Sequence, residues 1–341
     1  MKAAIYHGIE NVTVEEIAMP ECGDYDVIIK NVRSGICGTD IGAYYHGGEA
    51  AGIFPENQFG HEMASVVYKV GAKVDPEIKE GMRVFLNPCL CKRPDCGLSV
   101  LSICDESGAF SQYVQVQDAK LHYNLFPLPE NVSFNEAALI EPYSVGMHGV
   151  NMGKGKKGDR VVIFGAGMIG LSTLSACIEE IVVVDVNEWR LEKAKEMGAI
   201  PFNAKNGSLK EFLKEKFGSG LSSMAGQEAV DIDLYIDTAG AKNVMPDVLS
   251  MAKNHSRFVI VALYHQDVTI NPYQILGAEM EVVGSFAYAN SDIEEVIESL
   301  HAKSTPIEQI ITHHFPLDKI NEAFIQAKDA NCALKVIIDH E

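Results

Sequence analysis

Basic residues are in short supply. The 341-residue chain carries 28 Lys and Arg against 47 Asp and Glu, a formal charge of −19 with a pI near 5.0. A surface of that sign repels nucleic-acid phosphates and anionic lipid headgroups, so neither is expected as a partner. No apolar run reaches the roughly 18 residues that a membrane-spanning helix requires. The N-terminal MKAAIYHGIENVTVEEI alternates like paired strands and lacks the apolar block of a secretory signal. The expected location is therefore cytoplasmic. Internal repeats and low-complexity tracts are also missing, which excludes repeat arrays.

Eight cysteines stand at 22, 37, 89, 91, 96, 104, 177 and 332. Without a secretory signal they read as thiols or metal ligands rather than a disulfide framework. With 47% hydrophobic and 22% charged residues the chain reads as globular, and its length suits two domains.

Two textures divide it. Up to about residue 130, short period-2 segments (VTVEEI, DVIIKNVRSG, MRVFLNP, GAFSQYVQV, KLHYNLFPLP) are separated by Gly, Pro and Asp, and predict an irregular all-β domain with long loops. IGAYYHGGEAAGIFP is expected to be such a loop, and MASVVYKVGAKV a hairpin turning near Gly71. From Val132 the spacing turns helical, with Pro142 near a helix start, where its missing N–H costs little. Continuous apolar strands (RVVIFG, IVVVDV, DLYIDTAG, RFVIVALY, MEVVGSF) then alternate with helical stretches such as WRLEKAKEMGA, which predicts a doubly wound parallel sheet. KGKKGD at 154–159 is the expected linker.

Three clusters carry chemistry. Cys37-Gly38-Thr39-Asp40 and Gly60-His61-Glu62 bring a thiolate, an imidazole and a carboxylate close in sequence. Each suits zinc, whose catalytic sites keep three protein ligands and one open position. Read alone, these residues leave two other assignments open, a small core thiol and a surface His-Glu hydrogen bond. The second cluster is Gly165-Ala166-Gly167-Met168-Ile169-Gly170, which follows a strand and opens a helix, with Asp185 ending the next strand 20 residues on. That is the context of a dinucleotide-binding turn. Gly165 permits the turn, Gly167 admits a pyrophosphate, Gly170 lets helix and strand pack closely, and the helix N-terminus offers N–H groups to the anion. Asp185 would accept ribose hydroxyls and repel a 2′-phosphate, favouring NAD, although Arg190 lies near enough to moderate that preference. The third cluster, Cys89, Cys91, Cys96 and Cys104, is spaced C-x-C-x₄-C-x₇-C. It could close around a tetrahedral structural zinc, the opposing reading being a lobe held by packing alone.

Together, and in this order, these motifs resemble the zinc-dependent medium-chain alcohol dehydrogenases, in the sorbitol (polyol) dehydrogenase-like branch. Ala137-Ala138-Leu139-Ile140-Glu141-Pro142, Gly284-Ser285-Phe286, Phe315-Pro316-Leu317 and Asn321-Glu322-Ala323-Phe324 extend the resemblance over nearly the whole chain. It implies a GroES-like, partly open antiparallel barrel (1–146 and 283–341) with an inserted Rossmann domain (147–282) and an active site in the cleft. It further implies that Cys37, His61 and Glu62 bind the catalytic zinc and that Glu141 reaches the metal directly or through its water. Thr39 would pass the alcohol proton outward, and Asp40 would orient a ligand. Met168, Ile169, Val186, Arg190, Val283 and Gly284 join the Gly165–Gly170 turn and Asp185 in holding NAD. Homodimers or homotetramers are implied as well.

Two departures from the family pattern stand out. Where many relatives place a relay histidine this chain has Gly42, leaving Tyr44, Tyr45, His46 or water as the outer proton carrier. Where several sorbitol dehydrogenases have Phe-Arg-Tyr, with the Arg on the polyol, it has Phe286-Ala287-Tyr288. The expected activity is reversible oxidation of a secondary alcohol, on a polyol or sugar derivative, to a ketone with NAD. A threonine-type dehydrogenase is the neighbouring alternative, and a zinc-stabilised nucleotide-binding protein without turnover is the non-enzymatic one.

Overall fold

The computed structural model describes residues 1–88, 108–177, 180–223 and 228–340. The chain forms two compact units, Met1–Pro142 with Ala289–Glu341, and Tyr143–Tyr288.

The first unit opens with β1 (Lys2–Gly8), which pairs antiparallel with β2 (Asn11–Glu16). Its organising strand is β3 (Val27–Gly35), followed directly by α1 (Gly38–His46). The expectation of a loop after Cys37 is corrected here. Gly and Tyr disfavour helix in isolation, but the Asp40 carboxylate accepts the Cys37 N–H at 2.9 Å and caps the first turn. Tyr44 then stacks on Phe324 with ring centroids 4.7 Å apart.

β4 (Asn57–Gln58), β5 (Glu62–Val70), β6 (Arg83–Leu86), β7 (Tyr113–Val116) and β8 (Leu125–Pro127) complete the N-terminal strands. The hairpin expected at Gly71 does not form. β5 pairs with β3 and β6, and a Cβ on Gly71 would sit 2.2 Å from the Gly23 carbonyl, so the chain there is pressed against the β2–β3 connection. Of KLHYNLFPLP only Leu125–Pro127 is strand. Two short register shifts in the β3–β5 ladder, at Ile28/Ile29 and Asn31/Arg33, bend it locally.

After α2 (Phe134–Ala137) and α3 (Ile140–Met152), the second unit builds a six-stranded parallel sheet. In chain order come β9 (Val161–Phe164), α4 (Met168–Ala176), β10 (Ile181–Asp185), α5 (Glu188–Glu196), β11 (Ile200–Asn203) and α6 (Leu209–Phe217). A two-strand ladder, β12 (Ser219–Gly220) with β13 (Ala229–Val230), precedes β14 (Leu234–Asp237), α7 (Val244–Met251), β15 (Arg257–Ile260), α8 (Pro272–Ala278) and β16 (Glu281–Gly284). The order is β11-β10-β9-β14-β15-β16, so the direction of strand addition reverses between β9 and β14, where such sheets open a ligand crevice. β9 and β14 are buried at every residue, as strands covered on both faces must be. Residues 154–159 lie inside this unit, between α3 and β9, and are not the linker expected of them.

The chain then returns to the first unit with α9 (Asn290–His301), β17 (Ile311–Pro316), α10 (Ile320–Lys328) and β18 (Lys335–Asp339). β18 adds antiparallel to β3, giving the order β17-β18-β3-β5-β6-β8, with β7 also on β3. Among the described residues no helix is long and apolar enough to cross a membrane.

Candidate functional site

Strand register assembles the first cluster. Gly35, near the end of β3, pairs with Glu62, the first residue of β5, so Cys37 just beyond β3 comes to lie beside His61 and Glu62. One ligand atom from each of Cys37, His61 and Glu62 lies within 4.8 Å of the other two. The approach demands glycine at 35, because a Cβ there would stand 2.0 Å from Glu62 Oε2. Gly60 has a φ of +89°, and a Cβ on it would meet the Phe110 ring.

The site is buried and rich in acid. His61, Glu62, Asp40 and Glu141 are all under 9% exposed. Burial pushes the Asp40 carboxyl up, with His61 and the Cys37 amide opposing it only in part. For His61, burial pushes the imidazole down, yet Cys37, Asp40 and Glu141 outweigh it and raise the ring well above its ordinary value. His61 Nδ1 faces Asp40 Oδ1 at 3.7 Å, and both atoms are buried with no hydrogen-bond partner among the described residues. Among the described residues a lysine stands with these groups. Lys335 Nζ donates to Glu62 at 2.8 and 2.5 Å and to the Ile36 carbonyl at 3.0 Å. Burial pushes its ammonium down, but Glu62, Cys37 and Glu141 more than reverse that.

The second cluster lies in the other unit. Gly165 turns with a φ of +102°, and its N–H donates to the Val184 carbonyl at 2.8 Å. A Cβ on Gly170 would stand 1.9 Å from the Gly165 carbonyl, so α4 crosses β9 at glycine distance. Asp185 is held by its own loop. Its Oδ2 accepts the Ala166 N–H at 2.7 Å, and its Oδ1 accepts those of Val186 and Asn187 at 2.7 and 2.9 Å. The guanidinium of Arg190 reaches over the turn, 3.5 Å from where a Cβ on Gly167 would be. Gly165, Asp185 and Val186 line a cavity of about 510 Å³ that runs on to Ser208, Asn243 and Asp247. Met168 and Ile169 begin α4 beyond the turn, while Val283 and Gly284 end the edge strand β16.

Comparison with known proteins bears on both clusters. Residues 160–302 match the family model for a zinc-binding dehydrogenase, and residues 23–130 that for an alcohol dehydrogenase GroES-like domain. Sorbitol dehydrogenase of Bombyx mori is 31% identical over 349 residues, covering 98% of this chain and 97% of that protein. The chain belongs to the zinc-dependent medium-chain alcohol dehydrogenases, in their sorbitol dehydrogenase-like branch. Among solved structures, 2R,3R-butanediol dehydrogenase of Bacillus subtilis superposes with a TM-score of 0.86 at 25% identity, over 99% of each chain. A short chain alcohol dehydrogenase of Escherichia coli complexed with NADH gives the same TM-score and identity, again over 99% of each chain. This dehydrogenase thus combines a GroES-like catalytic fold with a Rossmann sheet.

The residues present fit a zinc ion. A thiol, an imidazole and a carboxylate converge, and that donor set is one a divalent zinc ion accepts. Cys89, Cys91, Cys96 and Cys104 lie outside the described residues.

Other expected participants of this dehydrogenase are placed as follows. Thr39 lies in the first turn of α1 and Glu141 near the start of α3. A Cβ on Gly42 would meet nothing within 4 Å. The hydroxyl of Tyr44 is engaged by Asn321, and the ring of Tyr45 by the Lys328 ammonium. Lys335 escaped the reading of the sequence. Its signal was a lysine in the otherwise apolar run ALKVII at 333–338.

Proposed function

We propose that this enzyme reversibly oxidises a secondary alcohol of a polyol or sugar derivative to the ketone, with NAD as hydride acceptor. The observation that carries the reading is the convergence of Cys37, His61 and Glu62 in a buried, acid-rich site. Glu141, at the position where simple alcohol dehydrogenases have a Cys, suits the sorbitol dehydrogenase-like branch, and its carboxylate acts on both His61 and Lys335. Sorbitol and 2,3-butanediol, the substrates named for the two relatives above, share a secondary alcohol next to a second hydroxyl. A vicinal diol unit is therefore the feature to look for.

In this reading Cys37, His61 and Glu62 would hold zinc, Glu141 would reach it directly or through its water, and Asp40, with Oδ1 3.7 Å from His61 Nδ1, would orient that ring. Zinc, when bound, supplies the Lewis acid that lowers the pKa of the substrate alcohol. Thr39 takes the alcohol proton toward solvent, and with Gly42 in the usual histidine position, water continues the path. Gly165, Gly167, Gly170 and the N–H groups at Met168 and Ile169 cradle the pyrophosphate. Arg190 adds a cation to that turn, and Val283 and Gly284 offer backbone groups to the nicotinamide. Asp185, fixed by three backbone amides, faces the ribose and disfavours a 2′-phosphate. Among the described residues β16 is an edge strand of the parallel sheet, which supports self-association into a homodimer or homotetramer.

The test is a panel of polyols, vicinal diols, sugar phosphates and threonine with NAD and NADP, run before and after chelation. NAD reduction with a diol that is lost on chelation and in Cys37→Ala supports the reading. Activity surviving both overturns it, and preferred turnover of threonine moves the enzyme to the neighbouring class.

A further inference from the structure

The second unit contains a buried carboxylate that the proposed chemistry does not use. Asp237 ends β14 and is fully buried, and among the described residues no lysine or arginine pairs with it. Its Oδ1 accepts the N–H groups of Ala239 and Gly240 at 2.9 and 3.0 Å. Its Oδ2 accepts the hydroxyl of Tyr264 at 2.5 Å. A charge so isolated from water depends strongly on each donor it retains.

Tyr264 stands in the segment after β15, which is tied to the same residue a second time. Val261 and Ala262 both donate backbone N–H groups to the Asp237 carbonyl, at 3.0 and 2.9 Å. Gly240 is pressed against this segment, since a Cβ on it would stand 2.9 Å from the Leu263 carbonyl. On its other side the Asp237–Gly240 turn forms a wall of the glycine-rich turn. Thr238 Oγ1 donates to the Phe164 carbonyl at 2.7 Å, and Cβ atoms on Gly165 or Gly170 would each meet that oxygen at 2.9 Å. A continuous route of contacts therefore runs from the Tyr264 hydroxyl through Asp237 and Thr238 to Gly165 and Gly170.

We infer that Tyr264 is a positioning residue for the dinucleotide: its hydroxyl fixes Asp237, and through the Thr238–Gly240 turn sets the shape of the pyrophosphate-binding turn. The inference rests on the reading of Gly165–Gly170 as that turn. Burial and the Asp237 carboxylate both push the Tyr264 phenol far above its ordinary value, so it remains a donor at working pH. The ring also lines a separate hollow of about 560 Å³ with Met245, Ile260 and His265, so removing the whole side chain would change more than one contact. Tyr264→Phe deletes the donor and leaves the ring.

The experiment is calorimetric titration of NADH into the zinc-replete enzyme, wild type and variant, with zinc content measured on the same samples. Tyr264→Phe is expected to weaken NADH binding roughly threefold to tenfold, the size of effect that residues coupled to a site without touching the ligand produce. It should raise KM for NAD by more than it lowers kcat, with the metal content unchanged. Leu263→Ala, next door and 72% exposed, should bind NADH as the wild type does. Thr238→Val cuts the route at its other end, so the double variant should lose no more than about twofold beyond the weaker-binding single variant. Binding by Tyr264→Phe within twofold of the wild type overturns the inference, as do fully multiplicative losses in the double variant. A wild type that binds neither NADH nor NADPH overturns instead the reading of the glycine turn.

Discussion

Lys335 and Glu62, 273 residues apart in sequence, form a buried ion pair in which one ammonium contacts both carboxylate oxygens, at 2.8 and 2.5 Å. The lysine is 1% exposed and the glutamate fully buried. Each side chain is therefore held in place by the other, and the Glu62 carboxylate is oriented by contacts within the protein itself.

Lys335→Met should remove the buried partner of the Glu62 carboxylate. Breaking a buried pair from one side costs about 3–5 kcal/mol. Urea denaturation should register that loss, and zinc added back should recover part of it, because the cation replaces the missing charge. An unchanged denaturation midpoint would show that Glu62 does not depend on the lysine.

Gly35 and Gly38 make a matched pair of opposite expectation. Gly35→Ala drives a methyl into Glu62 Oε2, displacing the carboxylate, and should cost about 1–3 kcal/mol of stability together with metal content. Gly38→Ala meets nothing within 4 Å in the first turn of α1 and should be neutral or slightly stabilising. Thermal melts and metal analysis of the two proteins side by side provide the comparison.

Gly42 has room for a side chain on α1. With Thr39 as the proposed inner hydroxyl, Gly42→His should restore an outer proton carrier with an ordinary imidazole pKa of about 6.5. A neutral imidazole can accept the proton, so the gain in kcat should grow as pH rises through that value and vanish below it. A pH–rate profile with the gain on the acid side would contradict the relay.

His7 joins Glu56 and Glu15, each at 2.8 Å, and so fastens the segment before β4 to β1 and β2. Its hydrogen bonds to Glu56 and then Glu15 raise the imidazole above 6.5 against a small opposing effect of burial. Because the folded value is the higher one, this stabilisation is fully present below the unfolded value and fades as pH rises through the folded value. The Tm difference between wild type and His7→Gln should accordingly shrink on going from pH 6 to pH 8. The group is solvent-screened, so the shift should be small.

Local chemistry made much of this legible. Gly165, Gly167, Gly170 and Asp185 announce themselves because a tight turn, a close helix–strand crossing and the end of a strand each restrict residue type within a few positions. The helix α1 was not legible, since GTDIGAYYH scores poorly as helix by itself. Its stability comes from the Asp40 cap and from Tyr44 stacked on Phe324, a partner far along the chain. The segment after Gly71 misled for a similar reason, because alternation shows that a strand can form but not what will pair with it.

By itself the sequence determined which ligand-type residues exist and where the chain must turn, because those demands act over neighbouring residues. Only the tertiary structure decided that β18 would lie beside β3 and put Lys335 on Glu62, and that the segment after β15 would put Tyr264 on Asp237. A buried charge selects its partner through strand order and register, and these are properties of the assembled sheet that no local spacing records.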